Sequence, residues 1–374
     1  MEVNHIGILG IGKLGLCFAL NLERAGYQIT GVDIHEDYVA AINGKTYYSY
    51  EPEVNELLQA SRNFVATSHI QDVLTADIKL LFVMVATPSL PDGGYDHTQV
   101  ERIVGALTNF GKREQQTHVV IGCTVMPGYT ATLQQRLAEY NYTVSYNPEF
   151  IAQGSIIKNQ QYPDQVLIGE GNEEAGDLLE AVYKKMCLNT PRVCRMDALS
   201  AEIAKLATNC LLTTKISFAN SIGDLAVKNG ASPTKILQAI GADSRIGEKY
   251  LQYGYGFGGP CFPRDNRALN LFAQQSGYQM LIGEATDNIN KQHLNFQFNE
   301  LLKENNSEYV FDEVTYKPGT VILEESQKLA LAVKLAQAGK NVVVIEKPVV
   351  IEELKSRFGN LFTYREKNSR KFYL

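Results

Sequence analysis

The segment Gly10-Ile11-Gly12-Lys13-Leu14-Gly15 constrains this chain more than any other stretch. It follows an apolar run with strand character, Ile6-Gly7-Ile8-Leu9, and opens an amphipathic stretch from Lys13 to Ala25. In a strand–turn–helix setting the three glycines have separate duties. Gly10 permits the tight turn, Gly12 lets backbone N–H groups approach a pyrophosphate, and Gly15 lets helix and strand pack closely. The helix N-terminus adds a field that favours an anion. A second strand, Ile29-Thr30-Gly31-Val32, ends at Asp33, whose carboxylate is placed to accept ribose hydroxyls. An acid at that point also repels a 2′-phosphate. Two unit charges about 4 Å apart at an effective dielectric near 20 interact by about 4 kcal/mol. No Arg follows Asp33 directly, so the expected cofactor is NAD, not NADP.

The rest of the first half continues the alternation of short apolar runs and amphipathic stretches. Further strands are expected at Ile78–Val85, His118–Ile121 and Thr143–Tyr146, giving a parallel, doubly wound sheet. From Ala198 to about Asn229 the chain is rich in Ala, Leu, Ile and Lys and lacks Pro, which predicts one helix of about 30 residues ending near Gly230. A glycine- and aromatic-rich loop follows at 248–265, with helix returning from about Asn266. A last strand-helix-strand signal runs through Tyr309–Thr315, Gln327–Ala338 and Asn341–Ile345. The expected architecture is α/β in three parts: a Rossmann domain over 1–195, a central long-helix and dimerisation region over 196–290, and a short Rossmann-like α/β domain over 291–374. The apolar face of the long helix points to a homodimer.

Bulk properties narrow the function by exclusion. A chain of 374 residues with a net charge of −6 offers no global field for nucleic acid or an anionic membrane. No apolar run approaches the roughly 18–20 residues needed to span a bilayer, and no basic stretch leads an apolar signal. The six cysteines are scattered without paired spacing, which argues for reduced thiols in a cytoplasm, and the six histidines have no metal-ligand spacing. No metal is expected.

One of those cysteines stands apart. Gly254-Tyr255-Gly256-Phe257-Gly258-Gly259-Pro260-Cys261-Phe262-Pro263-Arg264-Asp265 surrounds Cys261 with four glycines and two prolines. A core cysteine is a small buried hydrophobe, and that reading suits Cys17, Cys123, Cys187, Cys194 and Cys210. For Cys261 the loop context favours a nucleophile, with Asp265 four residues on and able to orient a water or base if helix begins there.

This loop resembles the GFGGxCFPKD-like signature of the UDP-glucose/GDP-mannose dehydrogenase family. Other segments match that family in order and at compatible spacing. They are Asn43-Gly44 with Glu51-Pro52, Ala86-Thr87-Pro88 with Asp92-Gly93 and Asp96, and Cys123-Thr124-Val125 with Pro127-Gly128. Asn147-Pro148-Glu149-Phe150 with Gly154-Ser155, then Ala201-Glu202 with Lys205 and Asn209, and Asp243 with Arg245-Ile246-Gly247 continue the series.

The resemblance implies oxidation of the terminal CH₂OH of a nucleotide sugar to a carboxylate, with UDP-glucose the expected substrate and GDP-mannose or another nucleotide sugar the alternative. It implies Cys261 as nucleophile, Lys205 and Asn209 as oxyanion stabilisers on one helix face, and Glu149 and Asp265 as handlers of the proton and the hydrolytic water. Thr124 would hold a water or the nicotinamide region, and Thr87 and Pro88 belong to the cofactor-side loop. Phe150, Ile151, Tyr250, Leu251, Tyr253 and Gly258 would line the sugar pocket. Arg245 would reach the sugar nucleotide from a neighbouring subunit, and Lys317 would contact the nucleotide.

The sequence departs from the family pattern at Gln153 and Gln165, where Glu and Arg are common. Lys317-Pro318-Gly319-Thr320 is retained, but Val321-Ile322-Leu323-Glu324-Glu325-Ser326 follows without the usual Asp and Arg. Two other function classes fit the residues less well. A two-electron β-hydroxyacid dehydrogenase leaves Cys261 and its loop unused. A catalytically impaired binding subunit leaves Glu149, Lys205, Asn209, Cys261 and Asp265 together without purpose. As bland alternatives, Glu202 and Lys205 read as a solvated i,i+3 pair and Glu149 as a helix N-terminal acid.

Overall fold

The structure, a computed structural model, describes residues 3–367. The expected C-terminal domain extends past this range, so its residues 368–374 lie outside the described residues. Eight strands form the larger sheet: β1 (His5–Leu9), β2 (Gln28–Val32), β3 (Phe64–Thr67), β4 (Leu80–Val83), β5 (Thr117–Ile121), β6 (Tyr142–Tyr146), β7 (Gln165–Gly169) and β8 (Arg192–Met196). Their order is β3-β2-β1-β4-β5-β6-β7-β8, and all neighbours are parallel except β6 and β7. Every residue of β4, β5 and β6 is buried, as a parallel sheet covered on both faces requires. Alternate side chains feed two cores. Ile6, Ile8, Leu80 and Phe82 join one with Phe18 and Leu20; Leu9, Leu81 and Val83 join the other with Val104 and Leu133.

After β3 the chain crosses to β4, on the far side of β1, so the strand order reverses between β1 and β4. In an open α/β sheet the crevice beyond the carboxyl ends of two such strands is where ligands bind. The strands β3, β7 and β8 lie outside the expected set. β3 has only four residues, and β8, Arg-Val-Cys-Arg-Met, has two charges and no fully buried residue.

The long helix runs from Ala198 to Lys228, 31 residues, in close agreement with expectation. By compactness the chain divides into two units, Met1–Lys205 and Leu206–Leu374, with the division inside this helix. The second unit contains helices Pro233–Gly241, Phe262–Gln275 and Leu281–Glu304 and a parallel sheet of β9 (Tyr309–Asp312), β10 (Val342–Glu346) and β11 (Thr363–Glu366), ordered β11-β10-β9. With helices Gln327–Gln337 and Pro348–Phe358 between the strands, this is a small Rossmann-like layer with its own apolar core around Val344, Leu335 and Leu354. The helix expected from about Asn266 starts earlier, at Phe262. Pro263 lies in its first turn, where a fixed φ and a missing N–H suit a helix start. Among the described residues, no helix is long and apolar enough to cross a membrane.

Candidate active site

The glycine turn is built as its sequence demands. Gly10 adopts φ of +95°, and its N–H donates to Val32 O at 2.8 Å, tying the end of β1 to β2. A Cβ on Gly15 would lie 2.0 Å from Gly10 O, so helix Lys13–Arg24 packs against the turn only because position 15 has no side chain. A Cβ on Gly12 would meet nothing within 4 Å, and Gly12 caps the helix without a side-chain hydrogen bond. Open space and unsatisfied helix N–H groups coincide at Gly12, which is the arrangement a pyrophosphate needs. Asp33 follows β2 and is partly exposed, with one carboxylate oxygen accepting from His35 N at 3.1 Å. These residues fit a dinucleotide: glycines for the diphosphate, an acid for the ribose.

Beyond the neighbouring strand ends, buried Thr87 donates its hydroxyl to Thr124 O at 2.7 Å, while Pro88 is exposed. The loops after β4 and β5 are therefore joined at the two threonines singled out from sequence.

The segment after β6 is held from several sides. Asn147 is buried, donating to Leu167 O at 2.8 Å and accepting from Tyr183 Oη at 2.6 Å. Lys13 Nζ donates to Gln153 Oε1 at 2.9 Å, and buried Glu51 accepts from Gly154 N and Ile156 N at 2.9 and 2.7 Å. Glu51 thereby caps helix Ile156–Gln161, a role its sequence position did not reveal. Between these anchors burial pushes the Glu149 carboxyl up to about 7. Glu149 lies in the loop after β6, outside any helix, so the helix N-terminal reading does not describe it. Phe150 and Ile151 are half-buried against the two cores.

On the long helix, Glu202 and Lys205 are both buried, at 0% and 5% exposure, so the solvated-pair reading is overturned. Glu202 accepts from Gly128 N at 2.5 Å and Thr130 N at 2.9 Å, capping helix Tyr129–Leu137 from a distant point in the sequence, and burial raises its pKa. Lys205 Nζ stands 5.3 Å from the centre of the Phe150 ring, a cation–π arrangement that joins two residues expected at the substrate.

In the second unit, Cys261 is the one cysteine of the six that is exposed. Cys17, Cys123, Cys187 and Cys210 are buried, and burial raises the Cys17 and Cys187 thiols, the latter to about 11. Cys194 is half-buried. Cys261 is the N-cap residue of helix Phe262–Gln275, a position where the helix field favours a thiolate. Its carbonyl accepts from Asp265 N at 2.8 Å, closing the first turn. Asp265 is fully buried, and Asn209 Nδ2 donates to its Oδ2 at 2.6 Å.

The chain matches known proteins over most of its length. Residues 4–187 match the NAD binding domain of the UDP-glucose/GDP-mannose dehydrogenase family, and residues 199–292 match that family's central domain. The chain belongs to this family. It is similar to the UDP-glucose 6-dehydrogenase of Pseudomonas aeruginosa, with 30% identity over 352 residues, 90% of this chain and 77% of the relative. It is likewise similar to the UDP-glucose 6-dehydrogenase AglM of Haloferax volcanii, with 28% identity over 374 residues, 96% of this chain and 86% of the relative. Among solved structures, a UDP-glucose dehydrogenase from the hyperthermophilic archaeon Pyrobaculum islandicum superposes with a TM-score of 0.87 at 30% identity, covering 98% of this chain and 87% of that one.

The remaining residues singled out by resemblance to the family have varied surroundings. The Arg245 side chain is 86% exposed and forks onto the Asp243 carboxylate at 2.6–3.2 Å, which holds Asp243 below the usual carboxylate range. Tyr250, with φ of +66°, is exposed and meets the Phe262 ring edge-on at 6.2 Å. Leu251 is buried in a small cluster with Ala219 and Leu237, and the Tyr253 hydroxyl donates to Asp224 at 2.9 Å. A Cβ on Gly258 would lie 2.2 Å from Glu325 O. Lys317 begins a tight turn in which Thr320 Oγ1 donates to Lys317 O at 2.8 Å. In the departing C-terminal run, Glu325 takes both arms of Arg267 at 2.6 and 2.8 Å, and Glu324 is exposed.

Proposed function

We propose that this protein oxidises the terminal CH₂OH of a nucleotide sugar, UDP-glucose, to the carboxylate in two successive oxidations, retaining the carbon on Cys261 between them. The observation that carries the reading is the exposed Cys261 at the cap of a helix whose first turn is fastened through Asp265 to Asn209. The Gly10–Gly15 turn and Asp33 would hold NAD, which would supply the hydride acceptor for each oxidation, so that one alcohol, two NAD and one water give one carboxylate, two NADH and three protons. The chain supplies the rest. Glu149 takes the alcohol proton in the first step. The Cys261 thiolate adds to the aldehyde carbon to give a thiohemiacetal, whose second oxidation leaves a thioester. Lys205 and Asn209 stabilise the oxyanion. Glu149 and Asp265 activate and orient the water that cleaves the C–S bond, returning the thiol.

Two lines support these roles. Membership of the family and the names of its relatives point to a nucleotide sugar. The chemistry of the residues points to the route: an exposed thiol, a carboxyl titrating near neutrality and a buried lysine suit nucleophile, base and electrophile. In the same reading Thr87, Pro88, Thr124, Lys13 and Leu14 attend the cofactor. Phe150, Ile151, Tyr250, Leu251, Tyr253, Gly258 and Lys317 belong to the sugar-nucleotide side, and Arg245 to that of a second copy. Leu211, Phe218 and Leu225, exposed at seven-residue steps along the long helix, support a homodimer through that face. Scattered, mostly buried thiols suit a reducing cytoplasm.

A second reading keeps the mechanism and changes the substrate. Glu324 and Glu325 stand where the family has an Arg and an acid, and an acid near a diphosphate weakens binding unless another cation offsets it. Measuring NADH formed per nucleotide sugar, for wild type and Cys261→Ser, tests both. Two NADH per UDP-glucose, lost in the variant, is expected. Turnover of a different nucleotide sugar alone would move the substrate, and one NADH per substrate with an active variant would sink the thioester route.

A further inference from the structure

The loop that leads into Cys261 is fastened by a buried polar cluster that no sequence pattern announced. His293, on helix Leu281–Glu304, is 1% exposed. Its Nε2 lies 2.6 Å from Gly254 O and its Nδ1 lies 2.9 Å from both carboxylate oxygens of Asp224, on the long helix. A carbonyl oxygen only accepts, and so does an ionised carboxylate. The ring Nε2 therefore donates to Gly254 O, while Nδ1 faces the Asp224 carboxylate. Asp224 also accepts from Tyr253 Oη at 2.9 Å, and the Tyr253 ring meets the His293 ring edge-on at 5.6 Å. A Cβ on Gly223 would fall 1.9 Å from the Tyr253 ring, so the tyrosine lies flush on the helix and its hydroxyl reaches Asp224.

Around this pair, side chains of the same two helices meet the loop backbone from Gly254 to Phe257. Gly254 N donates to Asn220 Oδ1 at 3.1 Å, and Gln297 Nε2 adds a second bond to Gly254 O at 3.0 Å. Asn220 Nδ2 donates to Tyr255 O at 3.3 Å. Asn290 exchanges two bonds with Phe257, at 3.0 Å each. A loop containing Gly254, Gly256, Gly258 and Gly259 has high conformational entropy when released. Side-chain clamps are what hold it in one form.

We propose that His293 is a positioning residue for the reaction: through Gly254, and backed by Asp224 and Tyr253, it fixes the path of the loop that delivers Cys261. This rests on the reading of Cys261 as the nucleophile. Displacing a reacting group by about 1 Å costs on the order of a hundredfold in rate, so a small release of the loop suffices to register in turnover.

The test uses the whole 374-residue chain and two variants. His293→Leu removes both ring contacts, to Gly254 O and to Asp224; His293→Gln keeps one amide donor for Gly254 O. Hydrogen exchange is followed at the amides of 254–257, together with kcat and KM for UDP-glucose and NAD affinity. The expected result for His293→Leu is faster exchange confined to this loop, kcat down about tenfold or more, unchanged NAD affinity, and partial recovery of both loop protection and kcat in His293→Gln. Unchanged exchange at 254–257, or a kcat within about twofold of wild type in a folded His293→Leu protein, would overturn the proposal. Should His293→Leu fail to fold, His293→Gln with Asp224→Asn gives the same readouts, and the same outcomes sustain or overturn the proposal. Cys261→Ser separates the two ideas. If it turns over like wild type, the nucleophile reading fails, while loop exchange still decides whether His293 holds the loop.

Discussion

Asn209 donates a 2.6 Å hydrogen bond to Asp265, and neither side chain is more than 7% exposed. The long helix thus grips the first turn of the helix that Cys261 caps, through a charge-assisted bond in a dry setting. Asn209→Ala should leave the buried carboxylate short of a donor and cost about 1–3 kcal/mol of stability, more if no water replaces the amide. Asn209→Asp should be worse, setting two carboxyls side by side. Urea unfolding midpoints of the two variants check the order, and an Asn209→Ala midpoint equal to wild type would refute it.

Glu149 gives a pH dependence whose sign follows from its burial. Its carboxyl titrates at about 7 against an ordinary 4.5, so the folded state binds this proton more tightly than the unfolded chain does. The stabilising contribution is therefore fully present below about pH 4.5 and is lost as pH rises through about 7. At about 1.36 kcal/mol per unit the loss is on the order of 3–4 kcal/mol at most. Glu149→Gln should flatten stability across that window, and denaturant midpoints at pH 5 and pH 8 measure it. If Glu149 serves as a base, kcat/KM should also climb through pH about 7 in wild type and lose that limb in the variant.

The glycine turn separates a folding role from a binding role. Gly15→Ala places a Cβ 2.0 Å from Gly10 O and should unfold or severely weaken the first unit, by several kcal/mol as overpacking against rigid backbone does. Gly12→Ala meets nothing within 4 Å and should leave the melting temperature nearly unchanged, while weakening NAD by the loss of close backbone approach. Thermal melts paired with NAD titration distinguish them. Equal damage to stability by both substitutions would contradict this assignment of roles.

Glu202 should behave as a structural anchor with little direct effect on chemistry. Glu202→Ala strands the N–H groups of half-buried Gly128 and buried Thr130, at a cost of about 2–5 kcal/mol. Glu202→Gln keeps one good acceptor and should lose about half as much. Melting curves read the difference, with kcat of the folded Gln variant expected within a few fold of wild type.

The long-helix face yields an assembly prediction. Phe218→Asp and Leu225→Asp put charge on the exposed stripe and should convert a homodimer to monomer without lowering the secondary-structure content. Light scattering after gel filtration reports the mass. A wild-type monomer would end the dimer reading at once.

What could be read from sequence was what short-range patterns dictate. The Gly10–Gly15 turn, Asp33, the long helix and the strand-helix-strand signal at the C-terminus all announce themselves through spacing within a few residues. β8 escaped because Arg192 and Arg195 interrupt its apolar run, and nothing local says that a neighbouring strand will pair with it. Glu202 looked like a solvated helix acid because its partners, Gly128 and Thr130, lie more than 70 positions earlier. His293 carried no metal spacing and so no signal; its partners are 69 and 39 positions away. Cys261 stood out because glycines and prolines around a cysteine are costly to place in a core.

The clamps on Gly254, Tyr255 and Phe257 have a consequence for engineering. Asn220, Asp224, Asn290, His293 and Gln297 sit on two helices, 33 to 43 residues distant in sequence from the backbone atoms they bind or joined to those that do. A graft of the cysteine loop alone into another scaffold would carry the nucleophile but leave behind its supports, and the transplanted glycines would sample many paths. The portable unit is the loop together with both helices, and altered substrate choice in this protein is better sought at side chains outside those five.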